Sequence, residues 1–111
     1  VHHLAVHRQG FDLAVGEVED AAYHNEAVQE AVVFGVDDPH MGEELAMVCY
    51  PRPGTALDAS QLRRFLDERL AGYKVPKYIA IAGLPLPRNA SEKLHKLNVK
   101  AGFLEGHYPP G

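Results

Sequence analysis

A lysine near the C-terminal end, Lys93, stands in a polar stretch whose residue types could do chemistry. It follows the turn-forming run from Pro87 to Ser91, between an apolar segment and a short amphipathic one. Loops held between rigid flanks often carry catalytic groups, and an ammonium on a long flexible stem can reach and neutralise an anion. An isolated lysine is more often a solvated surface residue, so the rest of the chain must decide between the two interpretations.

Length and charge limit the classes of function. The chain has 111 residues and a formal net charge of −4. A domain of this size can form a core, but it lacks the volume to enclose a nucleotide, an acyl group and a thiol carrier together. Its basic residues are scattered apart from Arg63-Arg64, so no nucleic-acid partner is predicted. No run is apolar and long enough to predict a membrane span or a signal peptide.

The remaining candidate residues for chemistry favour structural interpretations. Cys49 lies inside an apolar run, so we expect a core residue rather than a nucleophile, no intrachain disulfide, and a reducing, cytoplasmic location. His3 and His7 have the spacing of a helical metal pair, but no third ligand is evident, and no metal site is predicted. Because the chain begins at Val1, we expect a cleavage product or an incomplete chain, in which His2-His3 are left over from cloning.

Hydrophobic patterning predicts an α+β fold, with a small three-stranded sheet flanked by helices on both faces. Alternating apolar residues around Gly10 predict a short N-terminal hairpin or an extended linker. Val15, Val18 and Ala22 then predict a helix that ends near His24. The next two segments are apolar on both faces and are expected to pair as antiparallel strands. Those strands are Val28–Val36 and Leu45–Tyr50.

Three more elements complete the predicted fold. Asp58 and Gln61 have the spacing of a capping box, which starts an amphipathic helix ending near Ala71-Gly72. The short run Tyr78–Ile81 predicts a third strand. After Lys93, apolar residues at helical spacing predict a last short helix. Those residues are Leu94, Leu97 and Ala101.

Several blocks occur along the chain in a fixed order. They are Gly10-Phe11-Asp12-Leu13, Gly16-Glu17-Val18-Glu19, Val28 to Pro39, Gly42-Glu43, Leu70 to Pro76, and Leu86 to Ser91 with Lys93. In this order they resemble the C-terminal domain of the adenylate-forming superfamily, which comprises acyl-CoA and aryl-CoA synthetases, adenylation domains of nonribosomal peptide synthesis, and firefly luciferase. The likeness extends roughly from Gly10 to Lys100. The amino-acid sequence of the last block is most similar to that of fatty-acyl or aryl CoA ligases.

The resemblance implies a two-step reaction shared with a larger N-terminal adenylation domain, in cis or in trans. A carboxylic acid is adenylated by ATP, and a thiol, usually coenzyme A, then displaces AMP. ATP, Mg²⁺ and CoA would be bound mainly by the N-terminal domain, so this chain alone is not expected to be active. The implied division is a hinge-proximal linker or cloning remnant at residues 1–9, a mobile lid domain at residues 10–104 and a tail at residues 105–111.

The resemblance also implies roles for particular residues. Lys93 would be the catalytic lysine of adenylation, while Gly10, with Arg8 nearby, would line the tunnel for the pantetheine arm of CoA. Three features depart from the family pattern. Glu92 stands where the family usually has glycine, residues 3–6 do not match its hinge, and one glycine stands where relatives often have two.

A second hypothesis is a free-standing, non-catalytic module that resembles the lid and regulates an adenylating partner. The two hypotheses differ in what lies upstream of Val1 in the gene. A large domain with a phosphate-binding loop rich in Ser, Thr and Gly is expected there only if the chain is part of a ligase.

Overall fold

The computed structural model describes residues 2–40, 42–91 and 94–108, with residues 2–12 described by their backbone alone. The helices of these ranges are α1 (His2–Tyr23), α2 (Ala59–Asp67) and α3 (Lys96–Leu104), and the strands are β1 (Val28–Asp38), β2 (Gly42–Pro51) and β3 (Tyr78–Ile81). A short 3₁₀ turn, Gly72–Lys74, precedes β3. The α+β class, with helices on both faces of a three-stranded sheet, is confirmed.

The sheet has the order β1-β2-β3. β1 and β2 are antiparallel, as expected for strands joined by a tight turn, and Ala31 lies opposite Cys49 and Val33 opposite Met47. β3 runs parallel to β2, because the chain crosses through α2 before it returns to the sheet. Gly42 adopts a φ of +81° at the start of β2, a conformation that glycine adopts without steric cost.

A bulge near the start of β1 changes which side chains share a face. The register shifts between Val28 and Glu30, so Val28 packs with Ala31 and Val33. The alternating pattern predicted Val28 on the face of Val32 instead. That prediction is wrong for Val28 because an extra residue in the strand reverses the alternation.

Each face of the sheet carries its own core layer. On one face, α1 and α2 contribute the fully buried Val18, Leu62 and Leu66, which pack with Met47. α2 begins with the predicted capping box, in which the Asp58 carboxylate accepts a hydrogen bond from the Gln61 amide. Burial of its apolar stripe against the sheet supplies most of such a helix's stability.

The opposite face is covered by α3. Val99 is fully buried there, and the Phe103 ring meets Phe34 of β1 edge to face, with 5.5 Å between ring centroids. A Cβ at Gly102 would lie 2.9 Å from Cε2 of Tyr108, so a glycine lets the chain fold back after the helix. Two of the apolar residues that predicted α3 do not form its inner face, since Leu97 is 74% exposed and Ala101 is exposed as well.

The expected N-terminal hairpin is wrong, because residues 2–13 are the first part of α1. Residues such as Leu4, Gln9 and Leu13 are good helix formers. A helix satisfies its hydrogen bonds locally, whereas an isolated hairpin is marginal without further strands. The predicted end near His24 agrees with the observed end at Tyr23.

Side chains of α1 also cover part of the free edge of β1. The Tyr23 hydroxyl accepts a hydrogen bond from the Ala31 amide at 2.9 Å and donates to the Ala31 carbonyl at 3.3 Å. The Glu19 carboxylate accepts a hydrogen bond from the Val33 amide at 2.8 Å. Edge strands expose unpaired backbone groups that invite further pairing, and these contacts satisfy some of them. Burial raises the pKa of Tyr23.

The core assignment predicts a large difference between two truncations. Met47→Ala, at a fully buried position, should lower the free energy of unfolding by about 2–5 kcal/mol because it leaves a cavity. Leu97→Ala, at an exposed position, should change it by less than about 0.5 kcal/mol. Urea denaturation followed by circular dichroism measures both, and equal losses would contradict the assignment of the core.

Candidate functional site

The segment that precedes Lys93 is attached to the sheet by a buried carboxylate. Leu86 is 3% exposed, and its amide donates a hydrogen bond to Glu30 Oε1 at 2.8 Å. Arg88 Nη2 forms an ion pair with the other oxygen, Glu30 Oε2. Charge-assisted hydrogen bonds of this kind are stronger than neutral ones, so this end of the segment has a defined position.

Backbone pairing joins the residues before Lys93 to those that follow it. Arg88 and Leu94 form an antiparallel bridge, and the His95 amide donates to the Pro87 carbonyl at 2.9 Å. Asn89 Oδ1 accepts from the Ser91 amide at 2.9 Å, which is the local side-chain turn that asparagine favours. The turn predicted around Asn89 is therefore present, and α3 begins directly after His95.

Lys93 and Glu92 lie outside the described residues, so the role of Lys93 and the effect of Glu92 stay predictions. The described neighbours of Lys93 along the chain are Ser91 and Leu94. Leu94 takes part in the bridge to Arg88. The structure therefore describes the anchors on both sides of the predicted catalytic lysine.

Arg8 and Gly10, the predicted CoA-side residues, lie within α1. Because residues 2–12 are described by backbone alone, the role of these two residues remains a prediction. A contact from α1 to the region after Lys93 is made further along the helix, where Glu19 Oε2 lies 3.0 Å from Lys96 Nζ.

A second exposed loop, around Tyr73, is held by charged groups on both sides. Lys74 Nζ lies 3.0 Å from Glu17 Oε1, and this carboxylate raises the pKa of the Lys74 ammonium. Arg63 donates hydrogen bonds to the carbonyls of Pro76 and Lys77, at 2.7 and 3.0 Å. Tyr73 is 84% exposed. The contacts of Arg63 hold the chain in place just before β3.

The last residue of β1, Asp38, is the counterpart of Glu30 at the other end of that strand. Its buried carboxylate accepts hydrogen bonds from Lys77 Nζ at 2.6 Å and from the Tyr78 hydroxyl at 3.2 Å, and it also caps the His40 amide at 2.9 Å. This carboxylate raises the pKa of Lys77. The contacts join the β1–β2 turn to the start of β3.

The other residues that could do chemistry have different surroundings. Glu17 and Glu19, which could suggest an acid and base pair, point to different partners, Lys74 and Lys96. Cys49 is a buried free cysteine, as predicted. Among the side chains that the structure describes, no three His, Cys, Asp or Glu residues come together as a metal site requires. None of the described helices has the length and apolar character needed to cross a bilayer.

Glu30 is the residue of this site that sequence reasoning missed. It stands in a run of apolar residues that predicted a two-sided buried strand. A charged residue at such a position must find a compensating partner. That signal was present in the sequence, but the identity of the partner, Arg88, was not.

The fold and the anchored segment define a small mixed-sheet domain that fixes a polar loop between β3 and α3. Residues 17–93 match the family model of the AMP-binding enzyme C-terminal domain. The chain belongs to this family, and the resemblance to adenylate-forming enzymes is confirmed.

Curated relatives are CoA ligases. The chain is 35% identical over 99 residues to the long-chain-fatty-acid–CoA ligase of Bacillus subtilis, covering 89% of this chain and 18% of the ligase. It is 37% identical over 94 residues to a feruloyl-CoA synthase from an Amycolatopsis species, covering 85% of this chain and 19% of the synthase. The chain thus spans about a fifth of the length of the curated relatives it matches.

Solved structures agree with this family. Apo MatB from Rhodopseudomonas palustris superposes with a TM-score of 0.73 at 29% identity, covering 80% of this chain and 18% of that one. The o-succinylbenzoate CoA synthetase of Bacillus subtilis, solved in complex with its acyl-adenylate intermediate, superposes with a TM-score of 0.68 at 34% identity. That match covers 78% of this chain and 17% of the synthetase.

The environment of Cys49 predicts an unreactive thiol. Burial raises the pKa of this thiol to about 12, so the reactive thiolate is scarce at pH 8. Alkylation by iodoacetamide at pH 8, followed by mass spectrometry, should be at least about 100-fold slower in the folded chain than in the same chain unfolded in urea. Similar rates in the two states would contradict the burial of Cys49.

Proposed function

We propose that this chain is the mobile C-terminal domain of an ATP-dependent ligase that converts an acyl or aryl carboxylic acid into its CoA thioester. The family match and the CoA ligases among the curated relatives support this function. The share of those relatives that the chain spans supports a domain that works with a larger adenylating domain. On this proposal the chain has no ligase activity by itself, and it acts in the cytoplasm.

The proposed reaction has two displacement steps. A carboxylate oxygen of the acid attacks the α-phosphorus of ATP, the bond to the β-phosphate breaks, and pyrophosphate leaves. The sulfur of CoA, after losing its proton, then attacks the acyl carbon and AMP leaves. Mg²⁺ would accompany the ATP phosphates, because protein-bound Mg²⁺ is usually held by substrate phosphates, water and one or two carboxylates. These reactants would be held mainly by the larger domain.

Lys93 would act in the first step. Two anions must approach each other there, and negative charge develops on the phosphoryl oxygens. An ammonium delivered into a site closed to water stabilises such charge by about 3 kcal/mol or more. The observation that supports this assignment is the position of the residues on either side of Lys93: Leu86 and Arg88 are fixed to the sheet through Glu30, and Arg88 pairs with Leu94. Because these neighbouring residues have a defined position, closure of the domain would bring the lysine to the same place each time.

Rotation of the domain between the two steps would bring a different face to the reactants. Gly10 and Arg8 would then lie beside the pantetheine arm of CoA. Glycine suits such a position because a residue without a side chain lets the backbone approach a ligand closely. Both residues lie within α1, so this approach would be made by the helical backbone.

Substitution of Lys93 in the complete ligase tests its role. Lys93→Ala should lower kcat for carboxylate-dependent pyrophosphate exchange by about 10²- to 10³-fold, because the developing charge loses its counter-ion. Thioester formation from a supplied acyl adenylate should be nearly unchanged. The matched control is Lys96→Ala, which removes an ammonium from an exposed ion pair and should leave both rates within about twofold. Equal losses in both half-reactions of the Lys93 variant would contradict the assignment.

Acetylation of Lys93 provides an independent test. Acetylation removes the charge while keeping the aliphatic stem of the lysine, so the acetylated ligase should lose pyrophosphate exchange as Lys93→Ala does. Treatment with a deacetylase should restore the rate. A fully acetylated enzyme that adenylates at the normal rate would show that Lys93 is the wrong residue.

A further inference from the structure

Two charged side chains are buried among the described residues, Glu30 and Asp38. A buried charge is costly unless it is paired and hydrogen-bonded, so each one requires a fixed set of partners. The partners of Asp38 lie at the start of β3. The partners of Glu30 lie in the segment that leads to Lys93.

Regular alternation along β1 places Glu30 on the same face as Val32 and Phe34, where it meets these partners. The register shift between Val28 and Glu30 separates Val28, which packs under α1 and α2, from Glu30, which reaches the loop after β3. Leu86, whose amide Glu30 binds, belongs to the core layer under α3.

Both oxygens of Glu30 act on the same segment. Oε1 accepts the Leu86 amide at 2.8 Å, and Oε2 pairs with the Arg88 guanidinium. Arg88 is in turn paired with Leu94, the residue that directly follows Lys93 in the sequence. The carboxylate in the sheet is thus linked to the backbone next to Lys93 through one intervening residue.

We propose that Glu30 is a positioning residue for adenylation, which acts on Lys93 by holding the residues before it, Leu86 and Arg88, in a fixed position on the sheet. This inference rests on the proposed function of Lys93. A charged group that stabilises a transition state must be placed to within a fraction of an ångström, and a displacement of about 1 Å can cost about 100-fold in rate. Glu30 acts through the loop and touches no reactant.

The first test is Glu30→Gln in the complete ligase. Glutamine keeps an acceptor for the Leu86 amide but loses the charge that pairs with Arg88. We expect kcat for pyrophosphate exchange to fall about 10-fold or more, with KM for ATP and thioester formation from supplied acyl adenylate within about twofold. Arg88→Lys keeps the charge but loses the planar fork, and it should show a smaller loss with the same division between the half-reactions.

The matched control is Asp38→Asn, the same chemical change at the other buried carboxylate. If loss of a buried charge acts only through stability, both variants should lower the melting temperature and affect the two half-reactions equally. A selective loss of adenylation is expected for Glu30→Gln alone. If Asp38→Asn shows the same selectivity, or Glu30→Gln shows none, the proposal is overturned.

A double variant separates positioning from general damage. If Glu30 acts through Lys93, then adding Glu30→Gln to Lys93→Ala should lower pyrophosphate exchange no further, to within about twofold. Multiplicative losses would overturn the proposal. If Lys93→Ala alone leaves adenylation intact, the proposed function fails; if it abolishes adenylation while Glu30→Gln does not, only the positioning role fails.

Discussion

The compensation of one buried charge determines how this domain presents its polar loop. Glu30 lies in a strand whose neighbours are apolar, and a carboxylate there is stable only with partners on both oxygens. The Leu86 amide and the Arg88 guanidinium provide them. The free energy that would be lost by separating these groups therefore holds the loop against the sheet. The buried Leu86 and the pairing of Arg88 with Leu94 serve the same geometry.

The rest of the domain is built as one stiff unit, which suits a body proposed to rotate as a whole. The sheet carries a core layer on each face, so neither α1 and α2 nor α3 can shift without opening close-packed contacts. Glu19 joins three elements, since its carboxylate accepts the Val33 amide of β1 and pairs with Lys96 of α3. Exposed pairs of this kind add little stability individually, but they define relative positions.

Much of the fold could be predicted because its signals are local. The capping box of Asp58 and Gln61, the turn at Asn89 and the two-sided apolar strands each depend on residues close in sequence. The predictions that were wrong failed because the deciding contacts are not local in sequence. Without a packing partner in view, helix and hairpin could not be separated at the start of α1. The apolar character of Leu97 predicted a helix but not the direction in which that side chain points.

The sequence by itself determined the family and the order of the elements that follow the start of α1, because these reside in residue types and their spacing. The role of Lys93 rests on the same kind of signal and stays a prediction. Only the tertiary structure decided that the Leu86 amide and the Arg88 guanidinium are the partners of Glu30. Those facts depend on strand register and on contacts between residues more than fifty positions apart. Such contacts follow from how whole elements pack, and no local pattern specifies them.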